Sequence, residues 1–396
     1  MSKRIPHLDN LRSAMVLAVV LLHAALAYNQ WAVWWYASDQ ASIPGFDLLT
    51  LLLDVFPLPV LFFLAGYFAV PSKAKGGGAF VLAKLKRLGI PLVMVTAATL
   101  PVIPWIALTS RGLPAPPLAS FWFSYLGHAL IPDAALIQTM PDYSKFGEHF
   151  SQFHLWFISL LLCFFLLYAL VPKRSHAPES RTSGRILATL ALAGTLMALA
   201  MAALATTMQE WSWLNLDWLL FQPVRIPLYL GFFMLGILAW RGDWLRSGSL
   251  PGPLWAWIIG TVLMLAVFLA VSPRLMLTPE PLAFPMALAQ QAIRVLFCLA
   301  WLGMFLGLFR VQAKRSPRGD GRLSASLAAS SYDIYLLHLP VCVVFQYLLL
   351  DAALPGLLKF ALVLAGTIVV SWGLSLALRM TLKRLASALG KGRQAV

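Results

Sequence analysis

The stretch LDNLRSAMVLAVVLLHAALAY, Leu8 to Tyr28, opens with charge and then runs apolar except for one ionisable ring, His23. A run of about 20 apolar residues is long enough to cross a bilayer as a helix. Such runs recur along the chain. With this one they fall roughly at 12–33, 48–70, 88–110, 153–172, 185–207, 217–240, 253–272, 285–309, 325–350 and 356–380. Of the 396 residues, 60% are hydrophobic and only 11% are charged, too few charges to cover a water-facing surface. The expected fold is all-α: a polytopic integral membrane bundle of about ten transmembrane helices, each pairing its own backbone polar groups as hydrocarbon requires. Pro57, Pro59, Pro91 and Pro104 fall inside spans and predict kinks or short breaks.

The cations fix an expected orientation. Lys3 and Arg4 open the chain. Lys73, Lys75, Lys84, Lys86 and Arg87 lie between the second and third spans, and Lys173, Arg174, Arg181 and Arg185 between the fourth and fifth. Arg241 and Arg246 follow the sixth span. Arg310, Lys314, Arg315, Arg318 and Arg322 follow the eighth, and Lys383, Arg384, Lys391 and Arg393 close the chain. With ten spans all of these share one side, while the opposite loops hold Arg111, Lys145 and Arg274. The positive-inside rule then places both termini in the cytoplasm. The net charge of +15 reads as a topology signal and not as a nucleic-acid surface. One domain is expected over 1–385, with a cytoplasmic tail at 386–396. A secretory signal ending at Ala25-Leu26-Ala27 is the competing reading of the first span. His23 and the continuation into Trp31, Trp34 and Trp35 argue against it.

Between Arg111 and Gln152 lies the longest outer segment, rich in proline and aromatics, with Asp133, Asp142, Glu148 and His149. A cap or re-entrant element is expected there. Ser175 to Gly184 and Ala313 to Gly321 read as exposed loops. Cys163, Cys298 and Cys342 sit in apolar runs with no CxxC spacing, so neither a metal site nor a disulfide framework is expected.

Ionisable groups inside spans are costly and default to function. Arg12 and His23 are eleven residues apart, close to three helical turns, so they share a face about 16 Å apart along the axis. A second group is Lys84-Leu85-Lys86-Arg87, a candidate phosphate cradle. His154 and Trp156 stand in FHLWF at the outer start of the fourth span. Asp333 and His338 stand in SSYDIYLLHLP with Tyr332 and Tyr335, and their five-residue separation puts them on different sides of a helix. Arg225 and Arg294 are intramembrane cations with no local anion. On composition and topology alone a transporter or flippase, with Arg12, His23, Arg225 and Arg294 lining its path, is the leading reading.

Together the landmarks resemble the membrane-bound acyltransferase family 3. Arg12 and His23 match its first-span motif. FFLAGYF, Phe62 to Phe68, resembles its second-span Ser-Gly-Phe landmark, with Ala65 and Tyr67 in place of Ser and Phe. AKLKRLGIP resembles its Arg-x-x-Arg segment, with Lys84 in place of Arg, and FHLWF and SYDIYLLH resemble later landmarks. LDNLR, AGYF and RLGIP look most like the glucan succinyltransferase branch. The resemblance implies ten core spans in a bacterial inner membrane and a cytoplasmic acyl-CoA donor, acetyl-CoA or succinyl-CoA, without a metal. It also implies an extracytoplasmic carbohydrate hydroxyl as acceptor and His23 as the catalytic residue. Arg12, Lys84 and Arg87 would bind the CoA phosphates, and His154, Trp156, Tyr335 and His338 are candidates for the acceptor side. The bilayer is the remaining expected partner, with a homodimer as one arrangement to test.

Overall fold

A computed structural model gives the architecture over residues 5–131, 136–138, 147–172, 181–245, 251–276, 281–315 and 321–392. Lys3, Arg4, Asp133, Asp142, Lys145, Lys173, Arg174, Arg246, Arg318 and Arg393 lie outside these described residues, as do parts of the loops 175–184 and 313–321 and of the tail.

Among the described residues, ten helices are long and apolar enough to cross a membrane. They are Pro6–Leu26, Phe46–Ser72, Gly77–Thr109, Phe153–Leu170, Ser183–Ala205, Pro223–Arg241, Leu254–Ser272, Phe284–Gln312, Arg322–Leu348 and Gly356–Thr381, numbered here as the first to tenth spans. The first span lies at the centre of the bundle. It packs against the second, eighth, ninth and tenth, and burial of Leu8, Leu11, Val20 and Ala24 is complete. The seventh and tenth spans lie at the rim, with exposed Val262, Leu263, Leu357 and Val369 turned outward, as expected of a lipid-facing surface.

Four boundaries differ from the sequence expectation, each for a local reason. The first span starts at Pro6, not residue 12, because proline at the first helical position is pre-set for a helix. It ends at Leu26, not residue 33. The side-chain Oδ1 of Asn29 accepts the backbone N–H groups of Trp31 (2.7 Å) and Ala32 (2.9 Å), an Asx turn that competes with helix. Trp31, Trp34 and Trp35 therefore belong to a loop and not to the span. The third span starts at Gly77, not 88, so the basic segment is helical. Leu85–Gly89 forms a π-helical turn. Pro91 has no N–H for the Arg87 carbonyl and its ring crowds that group, which accounts for the widened turn.

The sixth span starts at Pro223 and not at 217. Before it, strands β2 (Trp213–Leu216) and β3 (Leu219–Phe221) form an antiparallel hairpin across Asp217–Trp218. Asp217 adopts φ +55°, which a two-residue hairpin turn demands and Asp tolerates. Strand β1 (Leu136–Gln138) pairs with β2 to complete a small sheet. The described part of the 111–152 segment thus carries regular structure. Its helix Leu118–His128 is fixed by Tyr125, whose hydroxyl donates to the Ser151 carbonyl (2.9 Å) and accepts the Ser151 N–H (3.0 Å). Burial pushes the titration of the Tyr125 phenol up, partly offset by that backbone hydrogen bond, so it is a neutral donor.

The second span breaks at Phe56, ahead of Pro57, into Phe46–Val55 and Pro57–Ser72. Its second half crosses the sixth span at contact distance through glycine. A Cβ on Gly66 would overlap the Phe233 carbonyl, and one on Gly236 would overlap the Phe63 carbonyl. Small residues are how membrane helices approach this closely. Gly66→Val should therefore cost about 1–3 kcal/mol or more by overpacking, read as a lower melting temperature in detergent. Gly260→Ala, where nothing lies within 4 Å, should leave that temperature unchanged or slightly raised.

Candidate active site

Three histidines from three spans meet. His23 Nδ1 lies 2.8 Å from His338 Nε2, and His338 Nδ1 lies 2.7 Å from the Tyr335 carbonyl. The His23 and His338 rings lie within 10° of parallel with centroids 5.0 Å apart, the arrangement of an edge-to-edge hydrogen bond. His154 meets His338 edge to face at 4.9 Å. His338 is fully buried and His154 nearly so, while His23 is only partly buried.

Their partners determine the tautomers. A carbonyl only accepts, so His338 must carry its proton on Nδ1, leaving Nε2 as a lone pair. His23 must then donate from Nδ1, which leaves its own Nε2 as a basic lone pair. His154 Nε2 lies 3.0 Å from the Leu336 carbonyl and must donate to it. That carbonyl is free because Pro340, four residues on within the same helix, has no N–H to offer it. One proline thus creates the acceptor that seats His154. The Tyr335 hydroxyl returns a bond to the His154 carbonyl (2.6 Å), locking the fourth and ninth spans together.

Phe153 precedes His154 with φ +46°, a left-handed conformation uncommon for a bulky residue. Such strain persists only where the surroundings enforce it, and it clusters at functional sites. Here Tyr125 and Tyr36 hold the Phe153 ring, at centroid distances of 6.5 and 5.4 Å.

Two residues not anticipated from sequence complete the cluster. The Trp35 indole lies over His23, centroids 5.5 Å apart and planes 18° apart. Its N–H donates to Gln346 Oε1 (2.8 Å), and Gln346 Nε2 donates to the His23 carbonyl (2.9 Å). Gln346 was legible as a lone amide in an apolar run. Trp35 was not, because a tryptophan after a span reads as an interfacial anchor.

Of the candidates for the acceptor side, His154, Tyr335 and His338 converge and Trp156 departs. The Trp156 ring packs on Trp213 of the hairpin (5.4 Å) and Tyr229 of the sixth span (5.5 Å). The expected separation of Asp333 from His338 is present. Asp333 Oδ2 accepts from Ser375 Oγ (2.6 Å) and from Arg379 of the tenth span (2.8 Å).

The three candidate phosphate-binding cations sit against three different helices. Arg12 pairs with Asp9 (2.6 Å) and lies 5.6 Å from the Phe68 ring centroid of the second span. The Lys84 ammonium sits 3.9 Å from the Phe165 centroid of the fourth. Arg87 is exposed and within electrostatic reach of Tyr332 on the ninth. Asn10, two residues before Arg12, accepts from Ser324 of that same ninth span (3.3 Å). The ninth span is therefore flanked by the basic ends of the first and third and carries His338 about four and a half turns beyond Arg322.

Arg225 and Arg294 do have anions, supplied from distant segments. Arg225 pairs with Asp54 of the second span (2.7 Å) and lies 3.7 Å from Glu210, while Arg294 pairs directly with Glu210. Gln290 and Gln291 also donate to Glu210, at 2.9 and 3.3 Å. Two cations and two carboxylates make this buried group formally neutral, and it ties the second, sixth and eighth spans together. Asp54, the carboxylate inside LLTLLLDVF, was the visible sequence signal.

A helical membrane bundle enclosing a tautomerically fixed imidazole cluster is the class of protein that fold and site define. The chain belongs to acyltransferase family 3: the family's acyltransferase-domain model matches residues 5–376, nearly its whole length. It is a multi-pass membrane acyltransferase. No curated protein and no solved structure matches the chain.

Nitrogen-15 spectra of histidine-labelled protein in nanodiscs test the tautomers. His23 and His338 should carry their protons on Nδ1, and His154 on Nε2. A protonated Nε2 on His338 would contradict the hydrogen-bond assignment.

Proposed function

We propose that the protein is an O-acyltransferase of a bacterial inner membrane, with both termini cytoplasmic, and that His23 Nε2 is its general base. The donor is an acyl-CoA, acetyl-CoA or succinyl-CoA. The acceptor is a hydroxyl of an extracytoplasmic carbohydrate, with the glucan succinyltransferase branch the favoured one. A single observation carries this reading: His23 is a partly accessible imidazole whose Nδ1–H is held by His338, so its free nitrogen is the basic one.

Acyl transfer needs a group to take the hydroxyl proton as the oxygen attacks the thioester carbonyl. His23 Nε2 takes that proton and the ring becomes an imidazolium. His338 Nε2 accepts from Nδ1–H throughout and steadies the positive ring, as the third member of a catalytic triad does. Collapse of the tetrahedral intermediate breaks the C–S bond. The departing thiolate takes the proton from His23 Nε2, leaving an ester and free CoA. The CoA phosphates would be met at the cytoplasmic end by Arg12, Arg87 and Lys84. Arg87 is the exposed one, and its guanidinium suits a phosphate fork. Lys84 would contribute a point charge. His154 of the fourth span and Tyr335 of the ninth support the dyad, and the outer segment offers the acceptor's approach.

The test uses purified protein in nanodiscs with acetyl-CoA and succinyl-CoA, following both binding and CoA release. His23→Ala should bind the donor but lower CoA release by about 10²–10⁴-fold. His338→Ala should lower it by about tenfold or more. Donor-dependent CoA release by His23→Ala at the wild-type rate would overturn the base assignment.

A further inference from the structure

Arg111 entered the sequence as an exception to the charge bias and has no place in the chemistry above. It stands two residues past Thr109, where the third span ends, next to the C-cap Ser110. Its guanidinium turns onto backbone carbonyls. Nη1 donates to the Tyr36 carbonyl (3.0 Å) and to the Ala107 carbonyl (3.0 Å). Nη2 donates to the Val33 carbonyl (3.1 Å) and to the Trp35 carbonyl. Ser110 Oγ adds a second bond to the Tyr36 carbonyl (3.0 Å). One planar fork therefore collects three carbonyls of a loop and one orphan carbonyl at a helix C-terminus, where a cation is favoured.

That loop segment is the one that covers His23. Trp35 lies on the His23 ring, and its indole N–H reaches the His23 backbone through Gln346. Tyr36, the next residue, packs on Phe153 beside His154. The loop forms no helix or strand between Trp31 and Ile43. Its own backbone supplies turns, such as the Trp35 N–H on the Ala32 carbonyl (2.8 Å), and the Arg111 fork adds the tie from the Trp35 segment to the end of the third span. Burial keeps the Tyr36 phenol neutral by pushing its titration up, so it adds no competing charge beside the guanidinium. A lysine would supply a point charge with freely rotating donors, whereas the guanidinium geometry is rigid and pre-set.

We propose that Arg111 is a positioning residue for His23. It clamps the Val33–Tyr36 carbonyls so that Trp35 fixes the plane of the catalytic imidazole and closes it from the outer side. This rests on the assignment of His23 as the base. Displacing a reacting group by about 1 Å can cost on the order of a hundredfold in rate, so a clamp one layer removed from the ring should register in kcat and not in donor affinity.

Two readouts on intact protein in nanodiscs test it. The first needs no substrate: the rate of His23 carbethoxylation by diethyl pyrocarbonate, located by mass spectrometry. The second is CoA release from acetyl-CoA and succinyl-CoA. In Arg111→Met, His23 should be modified about tenfold faster or more, and kcat should fall about tenfold or more with the donor KM little changed. Arg111→Lys should recover only part of both. Ser110→Ala removes one bond and should shift both readouts slightly in the same direction, which keeps the proposal testable if Arg111→Met folds poorly. Wild-type modification rate and wild-type kcat in folded Arg111→Met would overturn it, as would full rescue by lysine. A His23→Ala enzyme with undiminished kcat would instead overturn the base assignment.

Discussion

The hydrogen bond between His23 and His338 joins residues 315 positions apart, and the rest of the site is organised around it. It holds the first span to the ninth at a point where hydrocarbon would otherwise penalise both rings. Two neutral imidazoles can satisfy one another only if one donates and the other accepts. The Tyr335 carbonyl settles which, because it forces the His338 proton onto Nδ1. Direction along this chain then leaves a single consequence, an unprotonated nitrogen on His23. The ring that carries it is the one of the three that is not sealed off.

The supporting layer follows from defects in regular helix. Pro340 strips the Leu336 carbonyl of its helical donor, and His154 takes the vacated place. Pro91 does the same to Arg87, and the helix answers with a wider turn in the basic segment. Phe153 takes up a left-handed backbone immediately before His154. Breaks of this kind are tolerated at membrane depth when neighbouring groups re-satisfy the freed backbone. Each one here lies beside a residue of the proposed chemistry.

Much of this was legible in the sequence. Apolar runs of spanning length marked the ten helices, because bilayer thickness imposes a length that loops do not share. His23, His154, Tyr335 and His338 stood out as polar groups at a depth where polarity needs a reason. Their pairing was not legible, since spacing along one helix says nothing about which other helix faces it. For the same reason Arg225 and Arg294 looked unpaired while Asp54 and Glu210 stood in other segments. The ends of the first and sixth spans were misjudged where local chemistry overrode hydropathy. Asn29 caps a turn, and Trp213 to Phe221 forms a hairpin. Those two departures place Trp35 over His23 and turn Trp156 away toward Trp213.

The central claim is that the His23 Nε2 lone pair faces the thioester. A cryo-EM structure of the protein in nanodiscs with a non-transferable acyl-CoA analogue measures this directly. A hydroxyl must sit within about 3 Å of the base and within about 3.5 Å of the carbonyl carbon. That carbon should therefore lie no more than about 6 Å from His23 Nε2, with the phosphates at the end of the bundle that carries Arg12 and Arg87. An acyl group ending elsewhere, or reaching the cluster at His154 with His23 turned away, would contradict it.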